Sequence, residues 1–142
     1  MADTAPLKTF THNSYQQLLK THKNQAFALV IWSINCPICL AEMSVLSELH
    51  LRHPSLNLIM LATDDHSATE QIRLYLEQYE LTDLEQWQFI TADTNALRTE
   101  IDPNWRGEVP CSYFFDRSGK RTGITGFISL ADFQTLLAKQ AY

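Results

Sequence analysis

Cys36-Pro37-Ile38-Cys39 is the stretch of this chain best suited to chemistry. Two thiolates at this spacing can close a disulfide and exchange it with another, or supply half of a tetrahedral metal site. No second C-x-x-C and no H-x-x-x-H follows, so the metal reading lacks its other half. The third cysteine, Cys111, stands alone, and a scaffold held by disulfides would need more cysteines in a smaller chain. Pro37 suits the first position of a helix, where its missing N–H would be unpaired anyway. A helix N-terminus stabilises an anion, so Cys36 is expected to be the attacking thiolate. Cys39, one turn further in, is expected to be more buried and to resolve a mixed disulfide by closing the Cys36–Cys39 bond. Pro37 and Ile38 add no charge, which leaves the helix terminus and neighbouring groups to set the thiol pKa.

Positioning this pair requires a strand before it and a helix after it. Ala26 to Trp32 is almost wholly apolar and too short for a helix, and it reads as a strand buried on both faces. Cys39, Met43, Leu46 and Leu49 or His50 follow helical spacing, and Pro54 limits that helix. Leu7 to Thr11 reads as an edge strand, and Ser14 to Gln17 matches a capping box for a helix through about Lys20. Leu56 to Ala62 is a second buried strand. Ser67 to Glu70 is another capping box, opening a helix with the stripe Ile72, Tyr75, Leu76 and Tyr79. Leu81 to Gln86 connects to a third strand, Trp87 to Thr91. Asp93 or Thr94 caps a short helix ending at Ile101. Ser112 to Phe115 and Lys120 to Thr125 form a hairpin around Asp116-Arg117-Ser118-Gly119. Ser129 to Asp132 caps a last helix with Phe133, Leu136 and Leu137 facing inward. From Ala26 onward the elements run β, α, β, α, β, α, β, β, α. That order predicts an α/β fold with helices on both faces of a largely parallel sheet, made mixed by the final hairpin.

Phe27 to Met43 and Trp105 to Lys120 together resemble the thioredoxin superfamily, and within it the TlpA/ResA/DsbE-type thiol–disulfide oxidoreductases. The shared features are a strand, a Trp-led start to a C-x-x-C helix, an acidic residue three past the second cysteine, and a later Pro before a strand ending in D-x-x-G. The resemblance implies a single thioredoxin-like domain over residues 1–142. It implies that Val109-Pro110 is a cis-proline loop beside the cysteine pair, able to pair with a substrate strand. Pro37, Ile38, Val109 and Pro110 are then the substrate-binding residues. Glu42 becomes a catalytic partner that tunes or relays protons for Cys39. The chain departs from the thioredoxin pattern in three places. Val30 stands where thioredoxins have a buried Asp, Asn35 where Trp usually precedes the first cysteine, and Ser44 where Pro is frequent. Cys111 follows the proline, where Thr is common. It is expected to be a small buried residue, the other reading being a third thiol near the pair.

The 142 residues are 45% hydrophobic and 19% charged, sufficient for one buried core. A net charge of −5 argues against nucleic acid or an anionic membrane as the main partner. No apolar segment approaches the roughly 20 residues of a membrane span. Met1 to Pro6 lacks the basic and apolar regions of a leader. The resemblance to the TlpA/ResA/DsbE type implies a monomeric protein-disulfide reductase without metal or other cofactor. It would act on protein thiols and disulfides and be fed by an upstream electron-donor reductase. The family points to a periplasmic or otherwise extracytoplasmic site, with the cytoplasm as the other possibility. The competing readings are a thiol peroxidase, a copper carrier using His53 or His66 with the two thiolates, and a redox-inactive binding module.

Overall fold

The computed structural model describes residues 5–90 and 94–140. Six strands form one sheet in the order β1-β4-β3-β2-β5-β6. They are β1 (Leu7–Phe10), β2 (Phe27–Trp32), β3 (Leu58–Ala62), β4 (Glu85–Phe89), β5 (Cys111–Phe115) and β6 (Arg121–Thr125). The first four run parallel to one another, β5 lies antiparallel beside β2, and β6 lies antiparallel beside β5 at the sheet edge. The helices are α1 (Ser14–Thr21), α2 (Pro37–Arg52), α3 (Thr69–Gln78), α4 (Thr94–Ile101) and α5 (Leu130–Gln140).

Strand periodicity divides the core into two layers. Along β2, Ala28, Val30 and Trp32 enter one layer with Cys39, Met43, Leu46 and Leu49 of α2, Ile72 of α3 and Phe133 of α5. Phe27, Leu29 and Ile31 enter the other, with Tyr15 and Leu18 of α1 and Leu97 and Ile101 of α4. All six β2 residues are buried because the strand has a neighbour on each side and helices above and below. This is the arrangement that its unbroken apolar run requires.

Several boundaries differ from the sequence expectation. Ser14 does not cap α1. Asn13, in the left-handed conformation at φ 74°, precedes the helix, and Ser14 Oγ accepts from the Thr11 N–H at 2.9 Å. Asn tolerates that conformation better than most residues. Ser67 likewise yields to Asp65, whose carboxylate accepts from the Ser67 N–H and caps a 3-10 turn (His66–Ala68) leading into α3. Strand β3 starts at Leu58 rather than Leu56, because the His53–Leu56 turn holds the preceding backbone. Strand β4 begins at Glu85, two residues early. Its buried Gln86 and Gln88 hide the strand from an apolar reading, yet both side chains are satisfied, by Leu81 O at 3.0 Å and Asp65 O at 2.7 Å. Thr91 and Asp93 lie outside the described residues. Ser129 does cap α5, accepting from the Asp132 N–H at 3.2 Å. Helix α2 runs unbroken through Ser44.

Candidate active site

The pair sits where β2 hands the chain to α2. Cys36 is the N-cap of α2 in extended conformation, and Pro37 is its first residue. Cys36 and Cys39 are joined as a disulfide with Cα atoms 5.1 Å apart. Cys36 Sγ accepts from the Cys39 N–H at 3.1 Å, so one unpaired donor of the helix terminus points at this sulfur. Cys36 is partly exposed, whereas Cys39 is 1% exposed within the core. That asymmetry suits one sulfur that meets a partner and one that resolves. Ile38 stands out at 55% exposure beside the pair.

The Val109–Pro110 peptide is cis, and the Val109 carbonyl oxygen lies 3.7 Å from Cys36 Sγ. The preceding loop ties itself down to present this residue. The Trp105 indole N–H donates to Glu108 O at 2.8 Å, and the Arg106 N–H to the Glu108 carboxylate at 2.8 Å. Gly107 supplies the positive φ, 90°, that this tight loop needs. The cis Val109–Pro110 loop thus meets the start of α2, where Pro37 and Ile38 follow Cys36, at the Cys36 sulfur.

Glu42, one helical turn beyond Cys39, is 1% exposed, and Oε2 accepts from the Ile128 N–H at 3.0 Å. Burial pushes its carboxyl up to about 7, against the pull of the Ile128 N–H. Such a group changes protonation near neutral pH, as a proton acceptor must. Val30 is buried on the same layer and brings no acid there.

Cys111 belongs to the opposite layer, with Tyr113, Trp105 and Phe115, and is 2% exposed. Burial raises its thiol pKa. The sheet thus lies between this thiol and Cys39. Register explains it: Ser112 pairs with Val30 across β2 and β5, so Ser112 takes the Cys39 side and Cys111 the other.

Sequence reasoning did not single out three residues here. Asp64, just past β3, binds the Ser33–Ile34 backbone and side chain. Ile128 supplies the donor to Glu42. Phe127 is 50% exposed between Ile128 and Gly126, whose N–H donates to Pro110 O at 2.8 Å. Their partners are distant in sequence, so no local spacing announces them.

His53 ends α2, about 24 Å from its start at 1.5 Å per residue over 16 residues, and cannot join the thiolates. Among the described residues no group of three or more His, Cys, Asp and Glu side chains is placed to hold a metal ion. No helix among them is long and apolar enough to cross a membrane.

A mixed sheet of this order with a disulfide at the N-terminus of the helix after its central strand is the thioredoxin-like fold, and solved structures of thiol–disulfide oxidoreductases share it. No family model matches the chain, and no curated protein does. DsbF of Mycobacterium tuberculosis superimposes with a TM-score of 0.69 at 17% identity, over 86% of this chain and 85% of that one. A thioredoxin-family thiol:disulfide interchange protein of Chlorobium tepidum gives 0.69 at 19%, over 99% and 98%. A secreted Mycobacterium tuberculosis disulfide oxidoreductase homologous to Escherichia coli DsbE gives 0.65 at 16%, over 84% and 85%.

Proposed function

We propose that this protein is a thiol–disulfide oxidoreductase that reduces protein disulfides outside the cytoplasm, fed by a partner dithiol reductase. One observation carries the reading. A partly exposed sulfur at a helix N-terminus is bonded to a buried one, with a buried carboxyl of near-neutral pKa one turn beyond.

The reduced pair would work as follows. The Cys36 thiolate attacks a substrate disulfide, the substrate S–S bond breaks, and one substrate sulfur leaves as a thiolate and takes a proton from water. The mixed disulfide leaves the substrate chain against Val109, whose backbone can bond to it as a short strand. Cys39 gives its proton to the Glu42 carboxylate and attacks Cys36 Sγ. The second substrate sulfur departs, and two electrons have passed from the pair to the substrate. A donor dithiol then reverses the sequence on the oxidised pair. Glu42 near pH 7 is divided between its two forms, so it can take and return a proton in each half-cycle. The neighbours described as secreted support the extracytoplasmic location, and their names support protein thiols as substrates.

The test is mixed-disulfide trapping with a disulfide-bonded protein such as insulin. Cys39→Ser is expected to accumulate a Cys36-linked adduct, and Cys36→Ser to give neither adduct nor dithiol-dependent turnover. Turnover surviving in Cys36→Ser would end this reading. A redox titration addresses direction: the midpoint is expected nearer the reducing end of the fold's span, about −270 mV, than the oxidising end, about −120 mV.

A further inference from the structure

The segment that delivers Cys36 to the helix is held by a residue on the neighbouring strand. Strand β3 pairs with β2 in parallel, so Ala62 and Trp32 leave the sheet side by side, and the Thr63 N–H extends the ladder to Trp32 O at 2.9 Å. Asp64 follows and meets Ser33 and Ile34. Its Oδ1 accepts from Ser33 Oγ at 2.7 Å and its Oδ2 from the Ile34 N–H at 3.0 Å. Ser33 Oγ in turn accepts from the Asn35 N–H at 3.1 Å, and the Cys36 N–H donates to Ser33 O at 3.2 Å. Every backbone donor from Ile34 to Cys36 is thereby assigned, two directly or through Ser33 to one carboxylate.

The Asp64–Asp65 backbone that carries this carboxylate is braced from behind. Gln88 of β4, 5% exposed, donates from Nε2 to Asp65 O at 2.7 Å and accepts from Thr69 Oγ1 at 3.0 Å. Three parallel strands thus converge on a loop that contains neither cysteine. We propose that Asp64 is a positioning residue for the thiol pair. It clamps residues 33–35 so that Cys36 Sγ stays on the N-terminus of α2, and its negative charge opposes the Cys36 thiolate and holds the couple toward the reducing side. The second effect follows from like-charge repulsion, which disfavours the ionised thiol. A less stable thiolate also makes the reduced pair a better reductant. This rests on the oxidoreductase reading for its meaning, while its test does not need turnover.

Clamp and charge can be separated. Asn at position 64 can accept from the Ile34 N–H with Oδ1 and donate from Nδ2 to Ser33 Oγ, which has a second lone pair free for this. Asp64→Asn therefore keeps the clamp and removes the charge, whereas Asp64→Ala removes both. With reduced protein, the pH profile of Cys36 alkylation is expected to shift to lower pH in Asp64→Asn. The rate at a pH well below the thiol pKa should rise by about threefold, the thiolate fraction gained from about half a pK unit. The midpoint potential is expected to move in the oxidising direction. Amide exchange at Ile34 and Asn35 is expected to stay protected in Asp64→Asn and to accelerate more than tenfold in Asp64→Ala. Should Asp64→Ala fail to fold, Ser33→Ala removes only the hydroxyl and is expected to release Asn35 alone. An unchanged alkylation profile and potential in Asp64→Asn would overturn the charge role. Unchanged protection in Asp64→Ala, or in Ser33→Ala where that variant replaces it, would overturn the clamp.

Discussion

Glu42 and Asp102 are carboxylates on opposite layers of the same sheet, and their surroundings shift them in opposite directions. Glu42 is buried on α2, the helix that carries Cys39, Met43 and Leu46 into the core, with one backbone donor, from Ile128. Burial dominates there and raises its pKa to about 7. Asp102 also pays a burial penalty, but the donors around it win. It accepts from the Asn104 N–H at 3.0 Å and from the Tyr113 hydroxyl at 2.9 Å, and Arg121 Nη2 lies 3.3 Å away. The Arg121 guanidinium stacks over the Tyr113 ring at 4.9 Å and donates to the Tyr15 hydroxyl at 2.9 Å and to Ile101 O. Burial alone therefore does not make a proton acceptor; burial with too few donors does. On the Glu42 layer Ser112 Oγ and Trp32 Nε1 have no hydrogen-bond partner among the described residues. The Asp102 layer has a built polar network, and no chemistry is needed to account for it.

The largest expected effect breaks the comparison on the Glu42 side. A carboxyl whose folded pKa is raised stabilises the fold fully below its unfolded pKa and loses that contribution as pH rises through the folded value. From 4.5 to about 7 the loss amounts to about 3 kcal/mol. Urea unfolding of the wild type at pH 4 and pH 9 is expected to show that decline. Glu42→Gln keeps an oxygen for the Ile128 N–H and should remove the decline, making the variant the more stable protein at pH 9. A wild-type curve as flat as the variant's would mean that Glu42 is solvated and unsuited to serve Cys39.

A smaller effect breaks the other side. Arg121→Ala leaves Asp102 without its cation and Tyr15 and Ile101 without a donor. About 2 kcal/mol of stability is expected to go at neutral pH. Adding Asp102→Asn should recover part of it, because the stranded charge is then gone. If the double variant is as unstable as Arg121→Ala alone, the contribution of Arg121 is packing against Tyr113 rather than charge.

Local and long-range features of both layers differ in how far the sequence discloses them. The cysteine spacing, Pro37, Pro110 and the apolar runs of β2 and β3 are local signals, since each is decided by neighbours within a few residues. They suffice for the strand–pair–helix frame and for the mixed α/β sheet. Glu42 is a different case. Its helical position was readable, but its burial depends on Ile128, 86 residues later, folding over it. Asp64 depends on parallel register, which brings Thr63 alongside Trp32. The side taken by Cys111 depends on which residue of β2 faces Ser112, and a shift of one would have put the thiol beside Cys39. Gln86 and Gln88 were obscured for a related reason. Buried amides read as surface residues until the carbonyls that satisfy them are known.

The smallest effect sharpens the contrast through a single hydroxyl. Tyr113→Phe keeps the ring under Arg121 and deletes one of the donors to Asp102. Because Asp102 retains Asn104 and Arg121, the loss at neutral pH should be about 1 kcal/mol, the ordinary worth of one such bond. Its pH dependence has the opposite sign to that of Glu42. A lowered carboxyl pKa stabilises the fold above the unfolded value and loses that contribution as pH falls through the folded one. The difference between wild type and Tyr113→Phe should therefore be full at pH 7 and shrink in acid, while the Glu42→Gln difference is small in acid and grows toward pH 9. Stability measured across that range for both variants assigns each limb of the curve to one layer of the sheet. A Tyr113→Phe difference that stayed constant into acid would mean that the hydroxyl stabilises the fold through something other than the ionised Asp102.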